Sequence, residues 1–466
     1  MASTVDAPFT QGSLMRHVSI MSLTSSFGLM AIFLVDLIDV LFISMLGEEA
    51  LAAAAGYAST IMFFASAINI GLSVAAGVLV ANSLGGGKEV PAREHAFSAA
   101  VFALAAGLLI PLLMLPNLEF ILGLIGATGH VAERAEAYLW IILPTTFISG
   151  IGMTTVATLR AYGDARRAMY PSLAGAVVNG VLDPIFIFAL GMGLEGAAWA
   201  TVAARIATML MALWPAFRRY NAFAIPRPGC FYWDMREGIQ IATPAVLATV
   251  ATPVGVAIVT REMAKYGTDA VAGMAIINRM IPVVFSVVLA LSSAIGPIMG
   301  QNFGAGRVDR VREAFFDGVL FAALYVLGAA ALLFLLRHQI ADLFGATGIA
   351  RELVLLFCGP LALASFFNGV IFVANASFNN LGHPSYSTWI NWGRQTLGTL
   401  PLVILGGALY GAPGVLIGQA VGGVIFAGLA AWLSLYMITD QAHPMKQLTC
   451  RFRLQTRTHE ILNRAA

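Results

Sequence analysis

The stretch GVLVANSLGGGKEVPARE, residues 77–94, aligns with GPIMGQNFGAGRVDRVRE, residues 296–313, at an offset of 219 positions. Gly85 falls on Gly304, Gly87 on Gly306, Lys88 on Arg307, Arg93 on Arg312 and Glu94 on Glu313. The same offset carries Gly126-Ala127-Thr128-Gly129 onto Gly345-Ala346-Thr347-Gly348 and Gly163 onto Gly382, and Gly47 reaches Gly267 after one inserted residue. One spacing kept over four regions marks a duplicated unit, so the fold consists of two related halves.

Composition decides what fills each half. The chain is 59% hydrophobic and 11% charged, with a mean hydropathy of +0.83, far outside the range of soluble domains. The apolar residues fall into separate runs, each long enough as a helix to cross about 30 Å of hydrocarbon. Helices are predicted near 18–45, 51–82, 95–115, 137–160, 169–190, 194–217, 238–263, 270–300, 314–336, 353–379, 386–408 and 411–437. Strands of a membrane barrel need polar/apolar alternation over about ten residues, and no segment has it. The first run is too long for a signal-peptide core and has no small-residue cleavage pattern behind it, so it is expected to remain as the first span.

The expected fold is therefore an all-α polytopic membrane protein of twelve transmembrane helices in two pseudo-symmetric six-helix bundles. Its parts are a cytoplasmic N-terminal segment (1–17), an N-lobe (18–217), a cytoplasmic linker (218–237), a C-lobe (238–437) and a basic cytoplasmic tail (438–466). An even number of spans per half puts both halves in the membrane with the same orientation, with the symmetry axis along the membrane normal. Substrate is expected between them.

Orientation follows from Lys and Arg. Of the 26, eighteen lie in the tails or after even-numbered spans, five after odd-numbered spans, and Arg205, Arg279 and Arg394 within spans. Both termini are thus expected in the cytoplasm, in a cell membrane that is the inner one if the cell is Gram-negative. The tail's Lys446, Arg451, Arg453, Arg457 and Arg464 suit anionic lipid headgroups and topology control; no nucleic-acid partner is expected. The three intramembrane arginines suit helix ends or snorkelling as readily as an anionic substrate group.

Carboxylates inside the bilayer carry the functional signal. Only Asp36 and Asp39 in the first span and Asp183 in the fifth lie well inside apolar runs, each at a cost of roughly 2.5–3.5 kcal/mol at mid-membrane. Asp36 and Asp39, three apart, share a helix face, as do Asn179 and Asp183, four apart. Two neighbouring carboxyl groups shielded from water resist double ionisation and so can carry a proton. The same oxygens, with the amide of Asn179 and the hydroxyl of Thr201, can instead ligate a small hard cation such as sodium. In spans otherwise so apolar, Asp39 and Asp183 are the stronger candidates and Asp36, nearer an aqueous end, the weaker. Thr201 has the competing option of bonding to its own helix.

Other readings fall away. Gly191-Met192-Gly193-Leu194-Glu195-Gly196 spells a dinucleotide-binding pattern, but it joins two membrane helices without the strand the mechanism needs, and reads as a tight turn. Gly418 and Gly422 read as helix packing. The cysteines at 230, 358 and 450 are widely spaced and match neither a zinc pattern nor a disulfide framework. No nucleotide-binding loop, metalloprotease or hydrolase motif is present, so neither an ATP-driven pump nor an enzyme is expected, and no cofactor. The 19 Met and 29 Phe can line a polyspecific cavity. A flippase for lipid-linked sugars or envelope precursors can share the repeat architecture, but its anionic cargo would call for clustered mid-membrane cations. A membrane-embedded enzyme using Asp36 and Asp39 as an acid pair is the remoter alternative, with no nucleophile or metal cluster to support it.

Gly300-Gln301-Asn302-Phe303-Gly304-Ala305-Gly306-Arg307, its counterpart at Leu84 to Lys88, the Leu159-Arg160-Ala161-Tyr162-Gly163-Asp164 turn, and Asp39 eight residues before Gly47 resemble the multidrug and toxic compound extrusion family, from about residue 15 to 440. The resemblance implies the MATE/MOP-type fold and a secondary-active antiporter, self-sufficient as a monomer, that exports cationic or amphipathic compounds against protons or sodium ions. Residue by residue, Asp39, Asn179, Asp183 and Thr201 match the N-lobe cation site of the branch that includes the DinF-like and archaeal transporters. The NorM-like branch also uses acids in helices seven and ten. Here helix seven has no mid-span acid and Asn368 takes the helix-ten position, which implies coupling in the N-lobe only. Relatives often carry a proline about fifteen residues before the acid of helix one; Thr24 stands there instead, whereas Pro244 is present in the C-half.

Overall fold

The computed structural model describes residues 7–46, 48–227 and 229–440, without the side chains of Ser44 and Glu49. Gly47 and the basic tail lie outside the described residues. Among those described there is no strand. The first half holds α1 (Leu14–Met45), α2 (Glu49–Gly85), α3 (Glu89–Met114), α4 (Leu118–Leu124), α5 (Gly129–Ile142), α6 (Thr146–Ala161), α7 (Ala165–Pro184) and α8 (Gly193–Arg218). The second holds α9 (Cys230–Met263), α10 (Thr268–Val284), α11 (Ser286–Gly304), α12 (Val308–Leu343), α13 (Gly348–Cys358), α14 (Ser365–Asn380), α15 (Ser385–Gly393) and α16 (Leu400–Asp440).

Prolines account for most of the breaks within spans. A proline lacks the N–H that would continue the ladder and crowds the preceding turn. Pro144 accordingly sits in the short 3-10 turn between α5 and α6, and Pro360 opens the one between α13 and α14, so the fourth span of each half is broken alike. Helix α1 runs unbroken through Thr24, as a helix without proline should.

Eleven segments among the described residues are long and apolar enough to cross a membrane. The last of these, Ser385–Asp440, is two spans. Gly411 has φ 66° and ψ −148°, a left-handed conformation that glycine adopts without a Cβ clash, and the chain doubles back there. Gly406 then lies on the backbone of Gly414, Gly418 on Leu402, and Gly422 on Gly398, closer than any Cβ would permit. The packing role expected of Gly418 and Gly422 is what these contacts show, and twelve spans result. Gly191 and Gly193, at φ 65° and 55°, form the expected turn before α8.

Several helices outrun their apolar runs. Helix α3 begins at Glu89 rather than 95, α9 at Cys230 rather than 238, and α12 covers Val308–Leu343 rather than 314–336. The added turns carry charged residues such as Arg93, Asp234 and Arg310, which hydropathy discounts although helical hydrogen bonding continues through them. Large apolar side chains remain exposed along helix faces, among them Leu108 and Leu112 of α3 and Leu324 and Leu327 of α12. Hydrocarbon surroundings make that exposure favourable.

The lobes meet where α2 packs on α9 and α11, and α1 packs on α11. At one end they close completely. An added Cβ on Gly85 would overlap the backbone of Gln301, and one on Gly304 the backbone of Asn82, a reciprocal contact between positions related by the 219-residue repeat. The N-terminal turn Pro8–Thr10 covers this closure. The Phe9 N–H donates to Gln301 Oε1 (2.9 Å), Asn302 Nδ2 donates to the Phe9 carbonyl (3.0 Å), and Gln301 Nε2 donates to the Ala161 carbonyl (2.7 Å).

Candidate ion and substrate sites

The N-lobe brings three of the five predicted residues, Asp39, Asp183 and Asn179, into contact. Asp39 (α1) and Asp183 (α7) bring their carboxyl groups within hydrogen-bonding range of each other. Asp183 and Asn179 are buried, and Asn179 Nδ2 donates to Asp183 Oδ2. Tyr138 of α5 lies near Thr201 of α8 and within electrostatic reach of the two acids. The Thr201 hydroxyl itself donates to the carbonyl of Ala197 on its own helix (3.0 Å), the bond such residues commonly make. Asp36, one turn from Asp39, is exposed and stands outside this cluster. It remains near enough to act on Asp39 through its charge.

Local sequence explains part of this arrangement. Pro184 follows Asp183 directly, and the α-helical ladder gives way to a π-type turn at Ile185–Ala189. Such irregular turns free backbone groups and recur at functional positions. Asp183 thus stands at the last regular turn of α7.

The hydrogen-bond balance of the pair is incomplete. Asp39 Oδ1 and Asp183 Oδ1 are both buried without a donor. An ionised carboxylate only accepts, so two that face each other need a proton or a cation between them. The oxygens of two carboxylates and an amide suit a hard cation; among the described residues no group of three or more His, Cys, Asp or Glu side chains forms a metal cluster.

The intramembrane arginines divide. Arg205 Nη1 donates to the carbonyl of Ile142 (2.9 Å) and to Thr145 Oγ1 (2.7 Å), satisfying the break between α5 and α6. Arg394 donates to Asn368 Oδ1, and Arg279 is exposed. Helix-end pairing thus holds for Arg205. A fourth arginine was missed. Arg160, the final residue of the span predicted at 137–160 and counted with the loop that follows, lies in the last turn of α6 and lines the space between the lobes.

That space is a cavity of roughly 390 Å³ above the closed end, within the range of small-molecule sites. Its walls come from α2, α6, α9, α11, α14 and α15, with Asn375, Asn379 and Asn391 on one side. The predicted acids are not among its lining residues.

Comparison with known proteins follows this division into halves. The MatE family profile matches residues 25–185 and then 244–405, two copies whose starts are 219 residues apart. The chain belongs to the MatE family. It is 27% identical over 442 residues to the FAD transporter of Shewanella oneidensis, covering 92% of this chain and 95% of that one. It is 22% identical over 444 residues to the multidrug export protein MepA of Staphylococcus aureus, covering 93% and 96%. Among solved structures, an outward-facing multidrug resistance MATE transporter of the MOP superfamily superposes with a TM-score of 0.88 at 22% identity, over 94% of this chain and 99% of that one. A Vibrio cholerae MATE transporter gives 0.86 at 24% identity, over 91% and 96%. As a MatE protein the chain is a multi-pass membrane transporter and not an enzyme.

Proposed function

We propose that this MatE protein is a secondary-active efflux antiporter that exports amphipathic organic compounds in exchange for protons or sodium ions read by Asp39 and Asp183. The observation that carries the reading is the neighbouring pair of N-lobe carboxyl groups, each with one oxygen buried without a donor. A proton or sodium ion supplies what the pair lacks. Asn179 steadies Asp183, and Thr201 with Tyr138 offers further oxygen to a bound cation.

Coupling follows from occupancy. An empty, doubly charged pair repels itself and parts α1 from α7; an occupied pair draws them together. Each elementary charge moving inward gains about 2.3 kcal/mol per 100 mV, enough to drive an adverse export step. The basic-loop bias argues for cytoplasmic termini, which puts the closed end, with its N-terminal cover, at the cytoplasmic face and opens the cavity outward. The absence of C-lobe partners for the acids argues for the DinF-like or archaeal branch.

The full-length relatives are named as a drug exporter and as an FAD transporter, so the cargo class is an amphipathic organic compound of either charge sign. The expectation of cationic cargo rests on family resemblance alone. The test is transport in proteoliposomes with proton and sodium gradients imposed separately. Dye accumulation driven by one gradient and collapsed by its ionophore supports antiport; accumulation indifferent to both refutes it.

A further inference from the structure

We infer that the cavity between the lobes is a site for organic anions, with Arg160 as the group that recognises a carboxylate or phosphate on an amphipathic cargo. This rests on the transport reading above and fixes its substrate class. Among the described residues, Arg160 is the only ionisable side chain lining the cavity. It takes part in none of the six ion pairs among the described residues, and its Nε is buried without a partner.

A guanidinium cannot shed its proton, so a pocket that removes it from water must offer negative charge or leave it uncompensated. The C-terminal end of α6 offers only a partial charge of about −0.5. The wall opposite is consistent with an anion. Asn391 Nδ2 donates to Asn375 Oδ1 (3.3 Å) and the Ser387 hydroxyl to Asn379 Oδ1 (3.1 Å), which orients both amides and leaves their N–H groups for a ligand. Asn380 Oδ1, buried on the same lining without a donor, is an acceptor that an anion does not serve. The hydroxyls of Ser73, Thr249, Ser292 and Ser293 donate to their own helices and do not favour either sign. An organic cation would meet a fixed positive charge and no carboxylate in this cavity. Planar, forked donation by arginine matches carboxylate and phosphate, whose charge-assisted hydrogen bonds are the strong ones.

The test is equilibrium binding to the purified full-length protein in detergent, read by fluorescence polarisation. The probes are carboxyfluorescein against the cationic xanthene tetramethylrhodamine methyl ester, and riboflavin phosphate against riboflavin. The expected result is that at least one anionic probe binds about tenfold or more tightly than its counterpart. Preference for carboxyfluorescein identifies a carboxylate, and for riboflavin phosphate a phosphate. Arg160→Gln should abolish the preference and Arg160→Lys, which keeps the charge but not the fork, should retain part of it. The inference is overturned if neither anion binds saturably, if the cationic dye binds as tightly, or if the preference survives in Arg160→Gln. Wild-type binding decides even if a variant fails to fold. Binding needs no gradient, so an anion preference that persists while gradient-driven transport fails would sink the antiport reading and leave this one standing.

Discussion

Replacing Gly304 with alanine should open the closed end of this transporter. Gly304 is helical, so alanine is locally acceptable there and even preferred by about 1 kcal/mol in a helix interior. The obstacle is across the interface: the added Cβ would stand 2.8 Å from the Asn82 carbonyl carbon and overlap its oxygen. Backbone cannot swing aside like a side chain, and overpacking of this kind costs about 1–3 kcal/mol. The cost falls only on the conformation in which the lobes touch, so it shifts the closed-to-open ratio by about 5- to 150-fold. Gly85→Ala should do the same through Gln301, and the double variant should add to it. Spin labels at Val90→Cys and Asp309→Cys, exposed positions just beyond the closure and related by the repeat, report the opening by pulsed electron resonance with the native cysteines replaced. A longer-distance population is expected in Gly304→Ala. An unchanged distance distribution in a folded variant would refute the idea that these glycines form the gate.

Three further outcomes can be checked. Asp164 accepts from Tyr220 (2.6 Å) and from the backbone N–H (3.0 Å) and guanidinium (2.5 Å) of Arg167. Burial pushes its carboxyl group up, but these donors together hold it below the ordinary value of 3.8. A depressed folded-state pKa gives stability that is present above the unfolded value and lost as pH falls through the folded one. Asp164→Asn should therefore lower the melting temperature at pH 7, with the difference from wild type closing as pH drops below about 4; a gap that persists in acid would contradict this. Arg205→Ala strands the Ile142 carbonyl at the break between α5 and α6 and should cost about 1–3 kcal/mol, read as earlier thermal unfolding in detergent. Tyr138→Phe keeps the ring but removes the hydroxyl beside Thr201. Ion titrations should show weaker binding with cavity ligands unaffected, and ion affinity equal to wild type would remove Tyr138 from the site.

The twelve spans were legible because hydrocarbon leaves helices few alternatives, and the repeat was legible because glycines cannot be exchanged where backbones touch. Gly85 and Gly304 read as punctuation in the sequence; only packing shows them pressed on Gln301 and Asn82. Helix ends were misjudged where charged turns carry the ladder past the apolar run, as at Glu89 and Val308. Asp39, Asn179, Asp183 and Thr201 stood out by chemistry and spacing. Tyr138 did not, since a tyrosine at the start of a span is ordinary until α5 folds against α8. Asp36 shares a helix face with Asp39 but is exposed where Asp39 is half-buried. Arg160 went unnoticed because an arginine at the very end of a span reads as a charge for the adjoining loop, whereas it lines the cavity.

The most direct measurement is ion release on substrate addition to purified protein, in wild type and in Asp39→Asn. In lightly buffered, sodium-containing detergent solution, a transportable dye should displace protons or sodium from the wild type. The Asp39→Asn protein should bind the same dye and release neither. Undiminished release from Asp39→Asn, or none from the wild type despite saturable dye binding, would contradict coupling through the N-lobe carboxylates.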